Sequence, residues 1–244
     1  MEPSSHQHFA TTHWSLVLEA GHRSAPEADA ALETLCRAYW FPLYAFARRR
    51  GYSQDDAEDL TQEFFSRLID RSFLASADPE RGRFRSFLLT IFQRFLVSES
   101  DRSHAIKRGG GLIRLSIDFD DGEMRYIGGL TDEQTAERIF ERQWAMTLLQ
   151  RVIDQLRTEY VSRGKVELFE QCRSFLVGSA AAISSAETAR TLNMTEGALR
   201  VAIHRLRERY RELLRIEIAR TIDDATAIDD ELLQLRRAIQ GENR

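Results

Sequence analysis

The chain has 244 residues, 43% of them hydrophobic and 30% charged, with a formal net charge of −4. That balance excludes both a disordered chain and a polycation, so any nucleic-acid contact must come from local basic patches. The two cysteines, Cys36 and Cys172, lie far apart and in no CxxC pair, which excludes a disulfide framework and a cysteine zinc site and fits a reducing cytoplasm.

The opening stretch, MEPSSHQHFATTHW, has neither a basic start nor an apolar core, so no signal peptide is expected. No apolar run nears the roughly 18–20 residues that span a bilayer. The expectation is a cytoplasmic protein without a membrane segment. Only four prolines occur, and long stretches follow the i, i+3, i+4 apolar rhythm, so the predicted fold is all-α. It divides into an N-terminal arm (1–25), a helical block (26–106), a linker (107–133), a second helical block (134–215) and a C-terminal helical tail (216–244).

In the first block, DDAEDLTQEFFSRLI (55–69) forms a helix on a wheel of about 100° per residue. Ala57, Leu60, Phe64 and Leu68 fall on a core side. Asp55, Asp59, Gln62 and Ser66 fall opposite, with Glu63 adjacent. By itself this is a solvated acidic face. The next stretch, RGRFRSFLLTIFQRFL (81–96), reads as a packed helix. Phe84, Leu88, Ile91 and Phe95 centre its apolar stripe, and Phe87, Leu89, Phe92 and Leu96 flank it. Ser86, Thr90, Gln93, Arg94 and Val97 are left on a thin exposed edge. The linker starts with Gly109–Gly111 and continues through an acidic cluster. Its segment LIRLSIDF (112–119) is the best strand-like candidate in the chain.

Late in the second block, AETARTLNMTEGALRVAIHRLRERYRELL (186–214) reads as a short helix, a turn at 193–195 and a long helix. Leu199, Ile203, Leu206, Tyr210 and Leu213 make a single apolar stripe. Residues 196–220 hold seven Arg against four Glu, a local +3 in an acidic protein. A helix-turn-helix unit seats its second helix in the DNA major groove, with early side chains at base edges and arginines on phosphates. Thr195, Glu196, Arg200, Val201 and His204 are thus candidate base readers. Arg190, Arg205 and Arg207 are candidate phosphate contacts. The alternative is a helical hairpin whose arginines form a solvated face.

No catalytic constellation is expected. His6, His8 and His13 lack regular ligand spacing, so no metal is expected. Carboxylate pairs such as Asp55-Asp56 have no companion nucleophile or base. Gly109–Gly111 follows no strand, and ERGRFR lacks the spacing of a phosphate loop, so no cofactor is expected either.

Taken together, LCRAYWFPLYAFARRRGYSQDDAEDLTQEFFSRLI, FRSFLLTIFQRFL and MTEGALRVAIHRLRERYREL resemble the extracytoplasmic-function (ECF) sigma factors of bacterial RNA polymerase. The resemblance covers about 26–106 and 139–214, with the motifs in the family's order. It implies sigma region 2 at 26–106 and sigma region 4 at 134–215, joined by a flexible acidic linker that threads toward the RNA exit path. It assigns Asp55, Asp59, Gln62 and Glu63 to the β′ clamp helices of core polymerase. The loop DPERGRFRS (78–86) would capture an unstacked base of the −10 element. Arg81, Arg83, Arg85, Ser86, Thr90, Gln93 and Arg94 are then −10 contacts, and the helix-turn-helix reads the −35 element. The implied partners are core polymerase (β′ clamp helices and β flap), promoter DNA and an anti-sigma protein.

The chain departs from the family in its diluted basic tract VSESDRSHAIKR, in a longer region 4 with an extra helix near 166–176, and in the added arm and tail. A second reading is a helix-turn-helix transcriptional regulator that acts without binding the polymerase core.

Overall fold

The computed structural model describes residues 25–69, 83–103, 123, 126, 134–176, 185–222 and 225–241. Among them the architecture is all-α, with no strand. The helices are α1 (Ala25–Arg49), α2 (Gln54–Ile69), α3 (Phe84–Ser103), α4 (Ala136–Ser162), α5 (Val166–Cys172), α6 (Ser185–Thr191), α7 (Glu196–Ala219) and α8 (Ile228–Gln240). The N-terminal arm, the strand-like 112–119 and Arg81 lie outside the described residues.

Two compact units emerge. One holds the described residues up to Thr147 together with those from Ile218 onward, and the other is Leu148–Glu217. This division departs from the expected boundaries at both ends of the second block. Residues 134–147 belong with the first unit, because α4 buries Ile139, Phe140 and Trp144 there. The C-terminal tail is no separate piece: α8 belongs to the first unit and buries Leu235 and Glu231 in it.

The core of the first unit is aromatic. Phe64 of α2 meets Phe92 and Phe95 of α3 at ring-centroid distances of 4.9 and 5.6 Å. Phe46 of α1 reaches Phe92 at 6.1 Å, and Tyr39 reaches Phe84 at 5.4 Å. The pairs Phe64–Phe92, Phe46–Phe92 and Tyr39–Phe84 are edge-on, the favoured arrangement of two ring quadrupoles. The helix ends follow from local chemistry. Gly51 has φ +98°, and α1 closes in a Schellman motif: Tyr52 N–H donates to Ala47 C=O (3.3 Å) and Gly51 N–H to Arg48 C=O (3.1 Å). Two residues later the Ser53 hydroxyl caps α2, accepting from Asp56 N–H at 3.1 Å.

In the second unit the same motif builds the turn between α6 and α7. Asn193 takes the left-handed conformation (φ 51°). Met194 N–H donates to Ala189 C=O (2.9 Å) and Asn193 N–H to Arg190 C=O (3.1 Å). Thr195 then caps α7, its hydroxyl accepting from Ala198 N–H at 3.2 Å. Thr195→Ala should therefore destabilise the second unit by about 1 kcal/mol, read as a lowered urea midpoint with unchanged slope. Along α7, Leu199, Ile203, Leu206 and Leu213 are buried as the stripe requires, with Tyr210 half-buried. α5 and the 3₁₀ turn Arg173–Phe175 occupy the stretch where an extra helix was expected.

Candidate nucleic-acid interface

On α2 the structure keeps Asp55 and Asp59 exposed and leaves Gln62 and Glu63 half-buried. The acidic face is not uniform. Glu63 pairs with Arg67, one turn on, and Arg67 also donates to Glu99 of α3 at 2.8 Å and lies 5.1 Å over the Phe95 ring. Its charge is part of the α2–α3 joint, so Asp55 and Asp59 carry the outward-facing negative potential.

The residues assigned to the −10 element separate more sharply. Ser86, Thr90 and Arg94 are exposed. The Thr90 hydroxyl donates back to Ser86 C=O at 2.8 Å, and Gln93 donates to Glu137 of α4 at 3.2 Å. Arg83, just before α3, is 38% exposed and ion-paired to Glu231 of α8 at 2.6 Å. Arg85 overturns its assignment. It is 3% exposed, donates to Glu141 at 2.7 Å and to Glu231, and stacks 4.1 Å from the Trp144 ring centroid. Burial pulls its pKa down, and the adjacent Glu141 carboxylate opposes that. A guanidinium enclosed by two carboxylates and an indole has no face left for a DNA strand. Next to this cluster lies a cleft of about 330 Å³ lined by Arg83, Arg138, Arg237, Gln134 and Gln234 among others.

On α7, Glu196, Arg200, Val201, His204 and Arg205 are all exposed, as is Arg190 at the end of α6. Glu196 and Arg200 stand 3.7 Å apart, an i,i+4 pair on the open face. Two of the assigned contacts have structural duties. Thr195 is the helix cap, and Arg207 donates to Phe175 C=O at 3.0 and 3.2 Å. Arg209 was not singled out from sequence. It grips Glu159 of α4 through two bonds of 2.6 and 2.8 Å, and these hold the Glu159 carboxyl below its ordinary pKa.

Residues 35–101 match the family model described as Sigma-70 region 2. The match points to a sigma factor, a protein that binds RNA polymerase and recognises promoters. No curated protein and no solved structure gives a significant match to the chain. The region 2 segment contains every residue assigned to the clamp helices and to the −10 element, whereas α4 to α8 lie beyond it. Among the described residues, no helix is long and apolar enough to cross a membrane.

Two residues of the expected linker lie against the region 2 segment. Glu123 accepts from Arg48 of α1 at 2.7 and 3.0 Å and from the Tyr44 hydroxyl. Arg48 also sits 5.3 Å over the Tyr126 ring. Burial pushes the Glu123 carboxyl up, but the bonds from Arg48 and Tyr44 outweigh it and leave the pKa below the usual range. This part of the linker is anchored on α1, and the charge of Glu123 is spent on Arg48. The other residues that sequence reasoning missed are Glu141, Trp144 and Glu231. One signal for the cluster was present: Arg85 shares a helical face with Leu88, Phe92 and Leu96 at i+3, i+7 and i+11.

Proposed function

We propose that the chain is an ECF-type sigma factor. It binds core RNA polymerase through the acidic face of α2 and opens the −10 element along the exposed edge of α3. The −35 element is read by α7, with Glu196, Arg200, Val201 and His204 at the bases and Arg190 and Arg205 on phosphates. The observation that carries this reading is the Sigma-70 region 2 match, which falls on a packed aromatic body with Asp55 and Asp59 on its outside. The second unit adds a short helix, a four-residue turn and a long helix with an exposed basic flank. Control by an anti-sigma protein belongs to the same proposal, with the N-terminal arm, the α5 stretch and the C-terminal tail as docking surfaces.

Reconstitution with core polymerase tests it. The mixture should co-elute on gel filtration and initiate from DNA that the complex selects out of a random pool. Tight binding to DNA without polymerase, and none to polymerase, would replace this reading with that of a stand-alone helix-turn-helix regulator. On the selected promoter, Arg200→Ala should cost about 1–3 kcal/mol at one base position. An equal loss on a scrambled −35 element would make Arg200 a phosphate contact instead.

A further inference from the structure

Two guanidiniums hold one carboxylate where α8 meets the start of α3. Arg85 donates to Glu231 Oε1, while Arg83 Nε stands 2.6 Å from Oε2 as an ion pair without hydrogen-bond geometry. Their situations differ. Arg85 is enclosed by Trp144 and keeps Glu141 as a second acid if Glu231 departs. Arg83 is partly open and stands in the segment that matches Sigma-70 region 2. Glu231 is 1% exposed in its side chain, and Asp229 and Asp230 before it complete an acidic first turn. A carboxylate between arginines offers the same chemistry as a backbone phosphate, two oxygens sharing negative charge.

α8 is anchored more by the charge of Glu231 than by apolar contact. It fully buries one apolar side chain, Leu235, and its far end is tied by Arg138 donating to Gly241 C=O. Elements with few buried apolar contacts are the ones that open first. The cleft beside it brings Arg138 and Arg237 to the same spot, with Glu137 and Glu141 also in its lining.

We propose that α8 is an intramolecular occupant of a nucleic-acid site: Glu231 holds Arg83 in the place of a single-strand DNA phosphate, and release of α8 hands Arg83 to the strand. The proposal rests on the reading of residues 83–101 as promoter-facing. It makes the C-terminal helix a gate on that surface, set by a competition between an internal carboxylate and an external phosphate.

The test uses the full chain, a short fluorescein-labelled single-stranded A/T oligonucleotide and anisotropy over a salt series. Glu231→Gln keeps an acceptor for Arg85 and frees Arg83. It should tighten binding by about three- to tenfold and steepen the salt dependence by about 0.7, the value of one added phosphate contact. Adding Arg83→Gln should return both to wild type. Amide hydrogen exchange on the wild-type chain should show α8 exchanging faster with the oligonucleotide bound, and this decides the matter if Glu231→Gln unfolds. Unchanged or weaker binding by folded Glu231→Gln, or α8 protection unaltered by the oligonucleotide, overturns the gate. Co-elution of the wild-type chain with core polymerase is scored separately. Its failure removes the sigma reading without bearing on the Glu231–Arg83 comparison.

Discussion

Core polymerase should bind an Asp55→Arg, Asp59→Arg chain at least about 30-fold more weakly than wild type, a loss of roughly 2 kcal/mol or more typical of interface hot spots. The two carboxylates are exposed and stand one turn apart on α2. Reversing both turns attraction for a basic partner into repulsion, which in the bound state is felt at short range and low local dielectric. The fold should lose only about 1 kcal/mol, because Asp59→Arg is a plain surface change while Asp55→Arg puts a cation in the acidic first turn of α2. Glu63→Arg is a poorer probe, because it also breaks the pair with Arg67 that joins α2 to α3. Titration of a labelled chain with core polymerase, beside a thermal melt, checks both halves. Unchanged affinity in a folded variant would remove the α2 face from the polymerase interface.

That prediction stands on a part of the molecule that was legible from sequence. The α2 wheel places Ala57, Phe64 and Leu68 inward and Asp55 and Asp59 outward, and the structure agrees, with Leu60 half-buried at the margin. The turn at 193–195 was legible for the same local reason. Asn is among the few residues that enter the left-handed region cheaply, and Thr caps the next helix. These features are decided within one or two turns of chain. The Arg85 cluster is of another kind, since its partners lie 56 and 146 positions away. A basic residue beside a stretch read from sequence as a loop then looks like a DNA contact until the acids that neutralise it are placed. The division into compact units was not legible either: α4 runs unbroken through Thr147–Leu148, and helical periodicity carries no mark where the burying partner changes. Glu123 reads as one acid among several in a linker, and only its three bonds to α1 set it apart.

The Arg85 cluster also carries the largest stability effect expected in the chain. Arg85→Ala leaves Glu231 buried with Arg83 alone and strips the Trp144 face of its cation. Removing one partner of a buried ion pair costs about 3–5 kcal/mol, because the remaining charge keeps its desolvation penalty and loses its compensation. The lost cation–π contact adds roughly 1–2 kcal/mol at a desolvated site. For a unit of this size the drop in Tm should be on the order of 10 °C. The exposed pair Arg37–Glu33, with side chains 76% and 62% accessible, is the matched contrast: Arg37→Ala should shift stability by under about 0.5 kcal/mol.

The sign of a second experiment separates desolvation from simple loss of attraction. In Arg85→Met with Glu231→Leu no buried charge is stranded, and apolar replacements of buried ion pairs are commonly neutral or stabilising. The double variant should therefore recover at least half of what Arg85→Ala loses. A double variant as unstable as Arg85→Ala would mean that the ion pair contributes net attraction beyond its desolvation cost. In that case α8 would be bound too firmly to Arg85 for a strand phosphate to displace Glu231.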